Sequence, residues 1–242
     1  MNKRSFAVFR IYQEEPTHDT VVSFLWHILQ TANPELADTL HTRTEKYKPF
    51  TWSYIRTIDG MNLTFSSTDA TITQAFFDGC TILKKTSESA LIDKTIFVVA
   101  NVHSIGNIKT PFVMPEDSRS VNYYTLNLET CSPITLTRWS YGPKINISLQ
   151  SEPVDWLKHL RNNLYRRTHT FNKDVIRIPP ENIKICLVNR KESPDIIEYK
   201  GAKIPANHVT LRITAPAAYL ETALYGGLGQ RTGSGFGFAT VV

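Results

Sequence analysis

Two segments of this 242-residue sequence concentrate residue types able to do chemistry. In the first, His41 is followed closely by Arg43, Lys46, Tyr47 and Lys48, leading into Pro49-Phe50-Thr51-Trp52-Ser53. An imidazole with a reference pKa of about 6.5 beside fixed positive charge can give or take a proton at neutral pH next to a bound anion. The bland reading of His41 is a capping residue at a helix end, where an imidazolium is favoured by the helix dipole. The second segment is Gly226-Gly227-Leu228-Gly229-Gln230-Arg231-Thr232-Gly233-Ser234-Gly235-Phe236-Gly237, which holds six of the eleven glycines. Glycine lets backbone amides approach a phosphate, so the loop reads as a cradle for a phosphodiester backbone with Arg231 adding charge, or else as a tight turn into a final strand. It closes the sequence and lacks the Gly-Lys-Ser/Thr ending of an ATP loop.

Further basic and aromatic residues are candidates for polyanion contact. Leu157, Leu160 and Leu164 mark the inward face of a helix from Val154 to about Arg167, which would leave Lys158, Arg161, Arg166 and Arg167 as a basic surface with His169 beyond it. Arg138-Trp139 offers a cation and a stacking ring, or a buried tryptophan. His18, His103, His159, His169 and His208 show no paired metal-ligand spacing, and no carboxylate cluster suggests a two-metal nuclease. Neither a metal nor another cofactor is therefore expected.

The elements that must hold these residues follow from periodicity. Ser5 to Tyr12 is β-rich, and Asp19 can cap a helix with Val21, Val22, Leu25, Ile28 and Leu29 on its apolar face. Thr20, Ser23, His27 and Gln30 form the opposing polar stripe. Asn33-Pro34 starts a second helix with Leu36, Ala37 and Leu40 inward and His41 at its end. Phe50–Ile55 and Met61–Phe65 alternate around an Asp59-Gly60 turn, and a helix through Ala75-Phe76-Phe77 with a strand at Ile96–Val99 completes a β-α-β-β-α-β unit. Residues 106 to 120, with Gly106, Pro111 and Pro115, read as a linker, and the boundary is expected at 118/119. The order then recurs: a strand in Tyr123–Arg138, the Val154 helix, strands at Ile183–Val188 and His208–Ile213, a short helix near Ala217–Leu224 and a last strand around Gly237–Val242. The expected fold class is α+β, two tandem ferredoxin-like (RRM-like) units with antiparallel sheets, residues 1–118 and 119–242.

Composition bounds the function class. With 41% hydrophobic and 20% charged residues the chain can bury a sizeable core, and 27 Lys+Arg against 22 Asp+Glu, a net charge of +5, is a mild bias toward polyanions. No run of about 18 apolar residues occurs, and Arg10 interrupts any signal-peptide core, so neither a membrane span nor secretion is expected. Cys80, Cys131 and Cys186 are odd in number and widely spaced, which fits reduced thiols and a cytoplasmic protein.

Taken together, Asn33-Pro34-Glu35-Leu36-Ala37 leading to His41, Lys48-Pro49-Phe50-Thr51-Trp52-Ser53, Ser132-Pro133-Ile134 and the terminal glycine-rich run resemble, in order and spacing across almost the whole chain, the CRISPR-associated repeat-processing endoribonucleases, the sixth Cas family of the RAMP superfamily. The resemblance implies metal-independent cleavage of CRISPR precursor RNA within each repeat, by 2′-hydroxyl attack that leaves a 2′,3′-cyclic phosphate and a 5′-hydroxyl. His41 lies at the position matching the family's catalytic histidine, as general acid toward the leaving oxygen or, alternatively, as base. Lys48 matches a position that stabilises the transition state, with Lys46 and Arg43 as substitutes; read alone, it is a surface lysine. Where some members carry a catalytic tyrosine this sequence has Trp26, so the adjacent His27 becomes the candidate for the second proton-transfer group, unless it is only a surface histidine, and Tyr47 a weaker one. Gly227, Gly229, Gln230, Arg231, Gly233, Gly235, Arg138, Arg161, Arg166 and Arg167 are the expected RNA contacts. The implied partners are CRISPR repeat RNA, subunits of a CRISPR effector complex and a second copy of the chain, with no membrane. A noncatalytic RAMP subunit that only binds RNA is the rival reading, and a nucleotide-binding enzyme a distant third.

Overall fold

A computed structural model describes residues 3–42, 47–105, 121–139 and 144–242. Its first half builds one antiparallel sheet on β1 (Arg4–Gln13), flanked by β3 (Gly60–Ser67) and β5 (Thr95–Ile105), with β2 (Phe50–Thr57) and β4 (Ser89–Ile92) at the edges; the order is β2-β3-β1-β5-β4. Three helices, α1 (His18–Ala32), α2 (Pro34–Thr42) and α3 (Ala70–Thr86), complete this layer. The predicted stripe of α1 is buried through Val21, Val22, Leu25, Ile28 and Leu29. Its N-cap is Thr17, whose hydroxyl accepts from Thr20 N at 3.2 Å. Asp19, the expected cap, is directed elsewhere and accepts from Lys200 N at 2.8 Å. At the next turn Asn33 accepts from Leu36 N through its side chain (3.0 Å) and Pro34 takes the first helical position, so α2 starts where the Asn-Pro pair predicts.

The second half repeats the plan. β6 (Tyr123–Thr130) pairs with β12 (Val209–Pro216) and β13 (Ala239–Val241), and β9 (Lys184–Arg190) lies on the other side of β12, giving the order β13-β6-β12-β9 beside α4 (Pro153–Phe171) and α5 (Ala217–Glu221). Two tandem ferredoxin-like sheets thus make up the fold. The boundary expected at 118/119 lies outside the described residues. One strand expected over Tyr123–Arg138 is instead broken: at Ser132 the hydroxyl accepts from Phe238 N (2.8 Å), and the chain leaves the sheet to bridge Asn207 and Gln230 before β7 (Thr137–Trp139) pairs with β8 (Lys144–Asn146). A hairpin of β10 (Asp195–Tyr199) and β11 (Ala202–Ala206), unforeseen in the sequence, projects from the second half.

Each sheet has its own core, yet the two are interleaved. Aromatic stacks such as Phe24 on Phe97 (4.1 Å between ring centroids) and Phe65 on Phe76 (4.6 Å) fill the first, while Trp156, Leu160, Leu211 and Tyr219 fill the second. Tyr199, Ile204, Ala206 and Phe236, all from the second half, are buried in the first core. In return Arg4 of β1 reaches across, donating to the carbonyls of Leu224 (2.9 Å) and Ala239 (2.6 Å) with Phe238 under its guanidinium. Desolvation pushes its pKa down to about 10. Cys80, Cys131 and Cys186 are unpaired, and no helix among the described residues is long and apolar enough to cross a membrane.

Candidate active site

The sharp α1–α2 turn carries His41, in the last turn of α2, back onto α1, where its ring meets the edge of Trp26 (5.3 Å, 76°). Trp26 is held there by Phe50 of β2, 5.8 Å away. Entering β2, Lys48 donates from Nζ to the carbonyl of Leu40, the residue before His41. A lysine on a C-terminal carbonyl complements the helix dipole and ties the ammonium to the base of the histidine. His41 and Lys48, with Tyr47, open onto one cleft of about 390 Å3 between α1, α2 and the glycine-rich loop.

The second half supplies the opposite wall. Thr232–Ser234 forms a single tight turn, and Gly233 gives the Lys48 side chain room: a Cβ there would lie 2.8 Å from Lys48 Cγ. The tip of the β10–β11 hairpin closes the cleft with Tyr199, whose ring carries Lys200 Nζ and the Arg231 guanidinium, each 5.6 Å from its centroid. Ser234 donates to the Tyr199 hydroxyl at 2.9 Å, and the Lys200–Asp19 bond fastens the tip to α1. Lys48, Lys200 and Arg231 thus share a cleft whose described lining contains no carboxylate. Such a cleft attracts an anion and stabilises negative charge that develops inside it.

Not every expected residue is brought here. His27 is half-buried but does not line the cleft; one helical step of about 100° separates it from Trp26, which packs toward α2 in its place. Of the polar stripe, only Ser23 reaches the lining. Arg167 is a clear correction. The spacing that turns Leu160 and Leu164 inward also turns Arg167 inward, where it is buried and donates to the carbonyls of Gly226, Gly227 (2.7 Å) and Gly229 (3.3 Å) and to the Thr232 hydroxyl (3.2 Å). Desolvation pushes its pKa down to about 9. It is no part of a basic surface, and instead shapes the loop from beneath.

Within that loop Gly229, Arg231 and Gly233 line the cleft, whereas Gly227 and Gly235 are buried against Thr51 and Trp52. The Gln230 side chain is engaged with Thr137 of β7 (2.6 and 3.1 Å). Arg138 is held by Glu152 (2.6 Å) and Asp155, so its charge is already paired, and carboxylate hydrogen bonds raise its pKa; Trp139 is exposed. Arg161 is half-buried and Arg166 exposed on α4. Arg43 and Lys46 lie outside the described residues. One residue that packs beneath the glycine-rich loop has no counterpart among the expected site residues. His18, at the start of α1, stacks on Trp52 (5.4 Å) and shares a hydrogen bond with the Ser234 carbonyl at 2.7 Å, with burial holding its pKa below the ordinary histidine value. Trp52 is 34 positions away and Ser234 more than two hundred, so local sequence carries no signal of either contact.

The profile of the family described as CRISPR associated protein Cas6, C-terminal, matches residues 115–241, and no curated protein matches the chain. Among solved structures, a Cas6-related protein of Pyrococcus furiosus is 17% identical with a TM-score of 0.74, over 100% of this chain and 99% of that one. Thermus thermophilus Cas6 in a product complex is 13% identical with a TM-score of 0.73 over the whole of both chains. A RAMP protein binding different RNA substrates is 16% identical with a TM-score of 0.72 over 99% of each.

Proposed function

Because the chain belongs to the CRISPR-associated Cas6 family, we propose that it is an endoribonuclease that cleaves CRISPR precursor RNA within its repeats, acting at the cleft between His41 and the glycine-rich loop. The observation that carries this reading is the convergence of an exposed imidazole and three cations on one cleft whose described lining holds no carboxylate. In the proposed reaction the 2′-hydroxyl loses its proton to solvent in the open cleft, its oxygen bonds to the adjacent phosphorus, and the bond from phosphorus to the 5′-oxygen breaks. His41, entering as the imidazolium, gives its proton to that leaving oxygen. The products are a 2′,3′-cyclic phosphate and a 5′-hydroxyl, and no atom is taken from water.

Each neighbour has a share in that step. Lys48, fixed to the end of α2, places a point charge against the pentacoordinate phosphate, and Lys200 and Arg231 oppose it from the second half. Trp26 has no exchangeable phenolic proton, and its indole edge holds the His41 ring in orientation. We assign the two units to residues 1–118 and 119–242, with the second reaching into the first to complete the cleft. The chemistry as drawn calls on no metal: solvent takes the 2′-hydroxyl proton, His41 protonates the leaving oxygen, and side-chain cations stabilise the charge.

The test is incubation of purified protein and of His41→Ala with repeat RNA in EDTA, followed by analysis of product ends. Cleavage to a cyclic phosphate by the parent protein, reduced at least about 100-fold in the variant, is expected. Cleavage that requires added divalent cations, or undiminished cleavage by His41→Ala, would refute the assignment. Tight binding without cleavage by the parent protein would favour the RNA-binding subunit.

A further inference from the structure

A second hollow of about 390 Å3 adjoins the cleft and shares Tyr47 with it. It is lined by Tyr47, Tyr165, Arg166, His169, Thr170 and Arg177, again without a carboxylate among the described residues. Tyr165 is a fixed platform rather than a loose surface ring. Tyr219 lies roughly parallel to it at 6.3 Å, and His169 meets it at 4.6 Å. His169 is itself set by a hydrogen bond with the Tyr219 hydroxyl (2.9 Å). Burial and the nearby Arg177 hold the His169 pKa below its ordinary value, so at neutral pH the imidazole is uncharged and presents a hydrogen-bonding edge. Arg166 and Arg177 are exposed, so both guanidinium groups are available to a ligand.

Half-buried aromatic rings, two exposed arginines, a hydroxyl and a neutral imidazole around one open hollow form a set suited to a single unpaired nucleotide. The base stacks on an aromatic face, the arginines take the phosphate, and the polar edges read the base or the 2′-hydroxyl. We propose that this hollow is a docking site for one unpaired nucleotide next to the cleaved linkage, its base against Tyr165 and its phosphate on Arg166 and Arg177. The proposal rests on the reading of the cleft as an RNA-cleaving site, and it adds a demand on the substrate: one nucleotide beside the cut must be free of pairing. Arg166 thereby gains a specific place, while Arg167, its neighbour on α4, points to the opposite side.

The experiment uses the full-length protein and repeat RNA carrying a 2′-deoxynucleotide at the cleaved linkage, which blocks the reaction and leaves binding measurable. Single abasic nucleotides are walked across the positions flanking that linkage. At one position, loss of the base should weaken binding to the parent protein about 10-fold and to Tyr165→Ala less than about 2-fold, because the variant has already lost the partner. Arg177→Gln, a change at an exposed residue, should weaken binding about 5-fold. Equal abasic penalties in parent and Tyr165→Ala at every position, or full affinity in Arg177→Gln, overturns the site. Binding with this pattern but without cleavage of the all-ribose RNA would overturn the nuclease reading and leave the docking site standing. Failure of the parent protein to bind the repeat RNA overturns both.

Discussion

Substituting Gly235 by alanine discriminates between the two roles a glycine-rich loop can have. Gly235 has φ +77, and a Cβ built on it would lie 2.6, 2.7 and 2.8 Å from three atoms of the Trp52 indole. That ring has nowhere to go. It is fully buried, donates from Nε1 to the Gly233 carbonyl at 3.2 Å, and lies between His18 (5.4 Å) and Tyr54 (6.0 Å). The left-handed backbone costs an alanine about 1–2 kcal/mol, and overpacking against an immobile ring adds about 1–3 kcal/mol. The sum is a loss of about 2–5 kcal/mol. Gly201, at the β10–β11 turn, is the control: its φ is +70, yet nothing lies within 4 Å of its Cβ direction, so only the backbone share of about 1–2 kcal/mol applies. Urea unfolding of both variants, compared at matched m-values, measures the difference directly. If the glycine served only to let a phosphate approach, Gly235→Ala would lose RNA affinity with a stability equal to that of Gly201→Ala. Equal unfolding midpoints would therefore refute the packing argument.

Arg167→Met should cost about 3–5 kcal/mol in urea unfolding, because it strands buried carbonyls that a charged donor had satisfied; a loss below about 1 kcal/mol would contradict that role. His18 has a folded-state pKa below its ordinary value of about 6.5, so the unfolded chain binds the proton first, and stability is complete above about pH 6.5 and declines as pH falls below it. His169 is shifted the same way, so urea midpoints should fall with pH in the parent and flatten in His18→Gln/His169→Gln; an unchanged slope would place the linkage elsewhere. Lys48→Met keeps the apolar stem beside Gly233 but removes the ammonium from the Leu40 carbonyl. Single-turnover cleavage should drop about 10–1000-fold with repeat-RNA affinity changed far less, and a loss confined to affinity would make Lys48 a binding residue only.

Local periodicity makes much of this fold legible in the sequence. The apolar stripe of α1, the Asn33-Pro34 start of α2 and the alternation around Asp59-Gly60 all respond to nearest neighbours along the chain, and each element formed where that pattern lies. His41 and Lys48 are seven positions apart, so their meeting at the end of α2 was visible as spacing. The second wall was not. Lys200 meets Asp19, Ser234 meets His18, and Arg167 meets the glycine carbonyls through contacts that separate elements make only after both sheets exist. Arg167 shows the limit well: its position on the Leu160–Leu164 stripe favoured burial, its charge favoured solvent, and three carbonyls unseen in local sequence decided for burial. Trp26 against His27 was decided the same way, by Phe50 behind the indole.

The manner in which the buried arginines are satisfied sets the electrostatics of the cleft. Arg4 and Arg167 are solvated by backbone carbonyls, so among the described residues the glycine-rich loop is fixed without placing a carboxylate beneath the site where Lys200 and Arg231 present their charges. Arg138 is the opposite case, since Glu152 and Asp155 already neutralise it. The salt dependence of RNA binding separates the two situations. Each phosphate neutralised by a free cation releases counterions and contributes about −0.7 to the slope of log K against log salt on a single strand. Arg231→Gln should reduce the magnitude of that slope by about 0.7, whereas Arg138→Gln, which removes a cation already paired, should leave it unaltered. A slope that changes with Arg138 and not with Arg231 would mean that the RNA backbone follows β7 rather than the cleft, and the assignment of the scissile phosphate to His41 would fall with it.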